Sequence, residues 1–452
     1  MKPLSPRLRV RLTVGSVVVV LVGGAAAWVM LPPRALSFAG GHGVSLAAYE
    51  GPSPVGVPAE LRSESLIARG KYLTQAADCE VCHTREGGQP FAGGRAFASP
   101  FGVLYSPNIT ADRETGIGAW SDADFLRAVH KGIAKDGERL YPAFPYESYT
   151  LITDDDVLAI KAYLFSLPTV HAPAPPDGLR FPFNQRWLMG MWALFYNPDQ
   201  RFQPHEDRSP EWNRGAYLVE ALGHCGDCHT PRNLAQAPDN RRKFGGTVIS
   251  GWRAYNITPD FNSGIGTWSD DELADYLRSG HAAGHGSAGG PMAEEVAASS
   301  SNLTSGDLHA MTTYLRGIPA IRTRDLPAVK TQSASDSPKL TQAAVDPRGK
   351  EIFEGACASC HGWSGVSLVT KYATLTGNRA VNDVSAMNVV QIVLSGERTN
   401  TAEGVVLMPA FGDAYSDTEI AAVANYVTAR FGAAPSRLTA KDVAQLRQLS
   451  SN

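Results

Sequence analysis

The sequence predicts an all-α protein in which three tandem helical domains follow an N-terminal apolar segment. Three observations predict this fold: a 20-residue apolar run near the start, a Cys-x-x-Cys-His motif that occurs three times, and matching helical patterns around each motif. The chain has 452 residues, of which 43% are hydrophobic and 19% charged, which suits about three folded domains. The formal net charge of −3 argues against a nucleic-acid partner, which would require a basic surface.

The apolar run covers residues 12–31 and follows Lys2, Arg7, Arg9 and Arg11. About 20 apolar residues span a bilayer as a helix, and basic residues before such a helix keep its N-terminus in the cytoplasm. The alternative is a signal peptide cut near residues 25–27, where small residues cluster. Under both interpretations the rest of the chain leaves the cytoplasm.

The repeat predicts three domains, at residues 64–170, 206–320 and 344–433. Each begins with a helix that carries an Arg-Gly pair, at Arg69-Gly70, Arg214-Gly215 and Arg348-Gly349. The first two copies also share Asn-Ile-Thr at 108–110 and 256–258, an offset of 148 residues. The linker at 171–205 is rich in aromatic residues, including Trp187 and Trp192, which suit a membrane surface, a partner subunit or an interdomain core.

Two further helices are predicted in each copy. The middle helices are expected to begin at Ser121, Ser269 and Ser385 and to end near Gly132, Gly280 and Gly396. The closing helices are expected to begin with capping boxes formed by Thr153 with Asp156, Thr304 with Asp307, and Ser416 with Glu419. The tail after residue 435 suits one short amphipathic helix.

Cys-x-x-Cys-His is the attachment signature of c-type haem, in which two thiols bind the vinyl groups and the histidine binds the iron. Three copies predict three covalently bound haem c groups. The predicted covalent attachment residues are Cys79, Cys82, Cys225, Cys228, Cys357 and Cys360, and the predicted proximal ligands are His83, His229 and His361. A zinc site or a redox-active dithiol would use the same residue types, but zinc needs a second ligand pair that the sequence lacks.

A methionine thioether is the usual second axial ligand of an electron-transfer haem. Met292 and Met408 precede the closing helices of the second and third copies and are the predicted ligands, in loops rich in glycine and proline. The 148-residue offset places Phe144 at this position in the first copy, so the first haem is predicted to lack a methionine there. Other candidates for it are His130, His171, Met189 and Met191, and His281 or His285 is an alternative ligand for the second haem.

Several longer motifs resemble the three-haem cytochrome c subunits of bacterial membrane-bound periplasmic dehydrogenases. These are Ala-Arg-Gly-Lys-Tyr-Leu at 68–73, Gly-Ile-Gly-x-Trp-Ser-Asp at 116–122 and 264–270, Leu-Tyr-Pro-Ala-Phe-Pro-Tyr at 140–146, Gly-x-Cys-Gly-Asp-Cys-His-Thr-Pro-Arg-Asn at 223–233 and Met-Pro-Ala-Phe at 408–411. The resemblance covers residues 64–433 and implies three class I cytochrome c-like domains. It also implies that the chain lies on the periplasmic side of the inner (plasma) membrane.

The same resemblance implies an electron relay in a respiratory chain. A separate catalytic subunit, of molybdenum, quinoprotein or flavoprotein type, would oxidise an aldehyde or an alcohol, and this chain would pass electrons to ubiquinone. The chain itself is then non-catalytic, and no catalytic residue is predicted. The alternative is a haem enzyme in its own right, such as a peroxidase that uses an open coordination position at the first haem.

Overall fold

The computed structural model describes residues 33–329, 346–401 and 404–450, together with isolated positions between 16 and 31. The predicted membrane-spanning run at 12–31 therefore lies mostly outside the described residues. Within the described part of the chain, no helix is long and apolar enough to cross a membrane.

The first copy is mainly helical, with one short β-ribbon. In chain order its elements are α1 (Leu66–Ala76), α2 (Cys79–His83), β1 (Ala96–Ser99), β2 (Gly102–Tyr105), α3 (Asp122–Lys131), α4 (Tyr146–Tyr149) and α5 (Asp154–Ser166). The linker that follows contains α6 (Leu188–Tyr196).

The second copy repeats this order and adds a second ribbon. Its elements are α7 (Pro210–Tyr217), α8 (Gly226–His229), β3 (Thr247–Ile249), β4 (Trp252–Ala254), α9 (Asp270–Ser279), β5 (His281–Ala282), β6 (Gly286–Ser287), α10 (Pro291–Ala298) and α11 (Ser305–Gly317).

The third copy has a single, longer ribbon and an additional C-terminal helix. Its elements are α12 (Pro347–Ile352), α13 (Ala358–His361), α14 (Met387–Ser395), β7 (Glu397–Thr401), β8 (Gly404–Met408), α15 (Asp417–Phe431) and α16 (Ala440–Ser450). Helix α16 confirms the predicted amphipathic tail, because Val443 and Leu446 are buried against α14 and α15.

The expectation of an all-α fold is correct for the main elements and wrong in detail. In the part of the chain that the structure describes, four antiparallel two-stranded ribbons pair β1 with β2, β3 with β4, β5 with β6, and β7 with β8. Their strands are two to five residues long. Strands this short do not produce a readable alternation of apolar and polar residues, so sequence patterning does not detect them.

The recurrence of the Arg-Gly pairs in the repeat has a packing explanation. In each copy the first helix crosses the closing helix at this glycine, and a Cβ atom there would meet a backbone carbonyl oxygen. A Cβ atom would lie 2.0 Å from Ala159 O at Gly70, 1.8 Å from Ala310 O at Gly215, and 2.2 Å from Ala422 O at Gly349. Only glycine permits the two helix backbones to approach this closely.

Most predicted helix boundaries are confirmed, with two corrections. Ser121 and Ser269 cap α3 and α9, and Gly132 and Gly280 end these helices in the left-handed conformation. In the third copy the middle helix begins at Met387 rather than after Ser385, because Ala386 adopts a left-handed conformation with φ 47°.

The second correction concerns the closing helices, of which only α15 has a complete capping box. Thr153 and Thr304 cap their helices, but the carboxylates of Asp156 and Asp307 bind the neighbouring copy instead. The Tyr217 hydroxyl donates to Asp156 at 2.5 Å, and the Tyr72 hydroxyl donates to Asp307 at 2.6 Å. The first two copies therefore exchange equivalent hydrogen bonds across an approximate two-fold axis.

The hydrophobic core follows the same division. Buried residues of the first two copies, from Ala39 to Ile318, form one continuous cluster. The third copy builds separate clusters around Phe353 and Val390. The protein therefore consists of a two-copy unit with a shared core and a third domain with its own core.

Candidate haem-binding sites

Each Cys-x-x-Cys-His motif forms a short helix that ends on the histidine, as α2, α8 and α13. A local irregularity precedes every motif: Asp78 and His224 have positive φ values of 51° and 36°. In the second copy a π-helical turn at Leu218–Leu222 also precedes the motif, and in the third copy a π-helical turn at Phe353–Cys357 ends on its first cysteine. Such turns commonly mark functional positions in helices. The six cysteines form no disulfide with one another, and each is at least partly accessible.

The three motif histidines are held in the same way. Nδ1 of each imidazole lies within hydrogen-bond distance of a backbone carbonyl, at 2.8 Å from Pro107 O for His83, 2.6 Å from Tyr255 O for His229 and 2.6 Å from Ala373 O for His361. A carbonyl only accepts, so Nδ1 carries the proton and Nε2 is left as the basic nitrogen. Burial lowers the pKa of all three rings, which favours this neutral form. Metal-binding histidines are oriented by this type of second contact.

The repeated Asn-Ile-Thr motif explains how two of these carbonyls are positioned. Asn108 directly follows Pro107, and its amide donates to Val170 O at 2.6 Å. Asn256 directly follows Tyr255, and its amide donates to Ile321 O at 2.6 Å. Both asparagines thus tie the carbonyl-bearing loop to the segment after the closing helix. The third copy lacks this motif and places Ala373 in a short 3₁₀ turn instead.

The donor set suits haem better than either alternative. The described residues contain no group of three or more His, Cys, Asp or Glu side chains that could hold one metal ion. Burial raises the pKa of Cys82 and Cys228 to about 12 and that of Cys357 to about 11. Since the thiolate is the reactive form of a redox dithiol, thiols with such pKa values do not fit that role.

The structure reveals a spacing rule that the sequence interpretation missed. The middle helices end at Gly132, Gly280 and Gly396. In each copy, the residue 12 positions after this glycine ends or follows the next ribbon or bridge. These residues are Phe144 (144 − 132 = 12), Met292 (292 − 280 = 12) and Met408 (408 − 396 = 12). The pairs Ile133 with Arg139 and His281 with Ser287 match at the same offset of 148. Phe144 is therefore the structural counterpart of both methionines.

The expectation that both methionines lie in loops is wrong. Met292 is in the first turn of α10, and Met408 ends strand β8. Both side chains are half-buried. Phe144 packs against the first-copy core, with its ring 5.4 Å from that of Tyr149.

The other candidate ligands have different roles. His130 is buried, and its Nε2 donates to Ile152 O at 3.0 Å. His171 is exposed beside Asp112. His285 stacks on Trp268 at 4.0 Å, and the buried His281 contacts the ring of Tyr372 at 4.7 Å. Met189 and Met191 lie on α6, in the linker.

The first and second motifs lie on opposite sides of one interface. Ser148 of the first copy donates to Asp227, between the two cysteines of the second motif, at 3.2 Å. The Tyr149 hydroxyl donates to Ala77 O at 2.5 Å, while its ring lies 5.3 Å from that of His224. Side chains of the first copy therefore contact the second motif and the histidine that precedes it.

The second and third motifs are connected through the residues that support their histidines. The carbonyl of Tyr255 accepts from His229, and the hydroxyl of the same residue lies 3.3 Å from Asp383 of the third copy. Tyr372 adjoins Ala373, whose carbonyl accepts from His361, and packs against His281 of the second copy. Asp383 is fully buried and pairs with Arg253 at 3.4 Å.

Two family models match parts of the chain. The model described as cytochrome c matches residues 67–168, and the model described as cytochrome c oxidase, cbb3-type, subunit III matches residues 344–427. These ranges coincide with the first and third copies. The protein therefore contains haem c domains.

Several whole proteins are similar over most of the chain. The fructose dehydrogenase cytochrome subunit of Gluconobacter japonicus is 38% identical over 84% of this chain and 82% of its own length. The gluconate 2-dehydrogenase cytochrome c subunit of Pantoea cypripedii is 37% identical, over 85% of this chain and 90% of its own length. The cytochrome c subunit of the alcohol dehydrogenase (quinone) of Gluconobacter oxydans is 36% identical, over 85% and 82%. The chain belongs to the family of cytochrome c subunits of dehydrogenases.

Proposed function

We propose that the protein binds three haem c groups and relays electrons within a membrane-bound dehydrogenase complex. The single observation that carries the proposal is the shared arrangement of His83, His229 and His361, each with Nδ1 on a backbone carbonyl and Nε2 left as a ligand. Bound haem would supply reversible one-electron chemistry. The residues that would hold it covalently are Cys79, Cys82, Cys225, Cys228, Cys357 and Cys360.

Met292 and Met408 are the proposed second ligands of the second and third haems. Their common distance of 12 residues from the glycine that ends the middle helix supports equivalent roles. A soft thioether favours the reduced iron and raises its potential. Phe144 occupies the matching position in the first copy, so the first haem is proposed to lack this ligand and to differ in potential.

The arrangement of the three motifs supports a relay. The first and second motifs face each other across the interface that includes Tyr149 and His224, and Tyr255 and Tyr372 connect the second motif to the third. The proposed electron donor is a catalytic subunit that oxidises an aldehyde or alcohol, and the proposed acceptor is ubiquinone. The apolar run at 12–31 would direct export of the chain to the periplasmic side of the inner membrane. If it is retained, it would also anchor the chain there.

The haem content can be tested on the complex purified from detergent-solubilised membranes. The mass of the chain should exceed that of its polypeptide by three haem groups, and a molybdenum, flavin or quinone-containing subunit should co-purify. A chain whose mass equals that of its amino acids would contradict the haem proposal. Full dehydrogenase activity of the isolated chain would contradict the relay.

The ligand assignment predicts a gain of methionine ligation in Phe144→Met. The wild-type protein is expected to show the near-infrared absorption of methionine-ligated ferric haem from two haems, and the variant from three. The matched variants Met292→Phe and Met408→Phe should each leave one methionine-ligated haem. Three methionine-ligated haems in the wild type would show that the first haem finds its ligand elsewhere.

A second candidate function is peroxide reduction at the first haem, which Phe144 favours because phenylalanine leaves a coordination position open. The chemistry also needs an acid–base group at that position. The buried His130 is engaged with Ile152 O and is a poor candidate for it. Sustained turnover of peroxide by the isolated chain would favour this function, and its loss in Phe144→Met would locate it.

A further inference from the structure

Helix α6 in the linker presents an unusually apolar exposed face. Trp187, Met191, Leu194 and Phe195 recur at helical spacing, and their exposed fractions lie between 57% and 79%. Phe181, shortly before the helix, is 80% exposed. Apolar side chains at this spacing form one stripe along a helix. A contiguous exposed patch of this kind marks an interaction surface.

The opposite side of α6 is firmly attached to the protein. Trp192 is buried, its indole N–H donates to Ala235 O at 2.9 Å, and its ring contacts Tyr146 at 5.8 Å. At the end of the helix, the Asn197 amide donates to His130 O at 2.8 Å. Both copies of the two-copy unit therefore hold the helix in place, and its apolar face is held outward by these contacts.

The apolar run at 12–31 reaches the body of the protein beside this helix. The Tyr196 hydroxyl, in the last turn of α6, donates to Met30 O at 2.6 Å. Asn233 donates to the same carbonyl at 3.3 Å. The exposed ring of Trp28 lies 4.4 Å below the Arg241 guanidinium. The end of the longest apolar segment in the sequence thus lies beside the last turn of α6.

We propose that the exposed face of α6 is a membrane contact that lies in the interfacial region of a phospholipid bilayer. Tryptophan and tyrosine rings prefer this region, and a helix with apolar residues on one face lies in its plane. Where the run at 12–31 meets a bilayer, Trp187, Leu194 and Phe195 are carried to the same surface. The occupant of this face is therefore lipid, and the contact fixes the orientation of the two-copy unit relative to the membrane. The inference rests on the membrane location in the proposed function.

The test uses the full-length haem-loaded chain in vesicles of phosphatidylethanolamine and phosphatidylglycerol. In that form the native cysteines are thioethers, so a single introduced cysteine can be labelled. Leu194→Cys and Met191→Cys carry an environment-sensitive fluorophore on the α6 face, and Phe261→Cys and Leu368→Cys carry it at exposed apolar positions elsewhere. Spin-labelled lipids with the quencher near the headgroup report contact with the bilayer interface.

Probes at 191 and 194 are expected to be quenched at least about twofold more than probes at 261 and 368. Equal quenching at all four positions would overturn the proposal. A different outcome is that the probe at 194 brightens only when the catalytic subunit is added, without quenching by the spin-labelled lipid. That result would assign the face to the catalytic subunit and would also overturn the proposal. Co-sedimentation of the chain with the vesicles is measured in parallel. A chain left in the supernatant refutes the membrane location in the proposed function, whereas a bound chain with unquenched α6 probes refutes only this inference.

Discussion

At the scale of single residues, the glycines of the three Arg-Gly pairs determine how closely the first and closing helices pack. In the second copy, a Cβ atom at Gly215 would first meet Ala310 O. The next residue it would meet is Tyr314, whose Cβ lies 2.8 Å from that position. The aromatic residue at this place in each repeat is thus part of the same helix crossing. The local sequence therefore records a tertiary contact, because no other residue type fits there.

This packing predicts a large effect of one methyl group. Gly215→Ala would place a Cβ 1.8 Å from Ala310 O and should lower the free energy of unfolding by about 2–3 kcal/mol, in the range of overpacked cores. Denaturant unfolding measures the change. The matched control is Gly306→Ala in α11, where a Cβ meets only Thr304 Oγ1 at 4.0 Å. It should stabilise the helix by about 0.5–1 kcal/mol, and equal losses in both variants would contradict the explanation.

A second prediction at this scale concerns His130. Burial, followed by the charge of Arg201, lowers the pKa of this ring from 6.5 to about 4. The folded state favours the neutral ring, whereas the unfolded chain takes up a proton near 6.5. Above about pH 6.5 the ring is neutral in both states and does not lower the free energy of unfolding. As the pH falls toward 4, the free energy of unfolding decreases by at most about 3 kcal/mol.

The variant His130→Gln retains a donor toward Ile152 O but does not titrate. Denaturant unfolding at pH 4 to 7 should show a steeper loss of stability with falling pH in the wild type than in the variant. Parallel curves for the two proteins would show that the buried histidine does not carry this pH dependence.

At the scale of elements, the contacts between α1, α5, α7 and α11 form the two-fold arrangement of the first two copies. Tyr72 and Tyr217 each follow the packing glycine by two residues, and each donates to the aspartate three residues after the opposite helix cap. In the third copy these positions hold Glu351 and Glu419, and Glu419 caps its own helix. The side chains that join the first two copies are thus absent from the third.

Removing either hydroxyl should weaken this interface unequally. Tyr217→Phe leaves the buried Asp156 carboxylate with the Gly56 N–H at 2.8 Å, while Tyr72→Phe leaves Asp307 with the Arg214 guanidinium at 2.6 and 2.8 Å. A buried carboxylate that loses a donor costs about 1.5–3 kcal/mol, and we expect Tyr217→Phe at the upper end and Tyr72→Phe at the lower. Tyr163→Phe, at a hydroxyl without a partner among the described residues, is the control. Chemical unfolding that ranks Tyr163→Phe with the other two would contradict the assignment.

At the scale of the whole molecule, the continuous core of the first two copies and the separate core of the third predict two unfolding units. Because a shared core couples the copies that build it, the first two copies should unfold together and the third in its own transition. Tyr217→Phe should shift only the transition of the first two copies. Gly349→Ala, which would place a Cβ 2.2 Å from Ala422 O, should shift only the transition of the third copy. Calorimetry of the haem-loaded protein measures both, and a single transition that moves with either variant would contradict the division.

Part of this organisation is readable from the chain alone. The three motifs, the Arg-Gly pairs and the Ser and Thr caps are local patterns, since each depends on residues a few positions apart. The absence of a methionine at Phe144 is readable by comparing the first two copies at their offset of 148 residues. These patterns predicted the main helices and the proposed haem residues. Two to five residues per strand are too few for a periodic signal, so the ribbons were missed.

The sequence by itself determined the repeat, the donor chemistry and the number of attachment motifs, because covalent spacing and side-chain type are properties of short segments. Only the tertiary structure decided which carbonyl holds each histidine, that Tyr72 and Tyr217 bind the opposite copy, and that α6 turns Trp192 inward and Leu194 outward. These outcomes depend on the packing of elements up to 235 residues apart, and the free energy of that packing is spread over a core that no single segment contains.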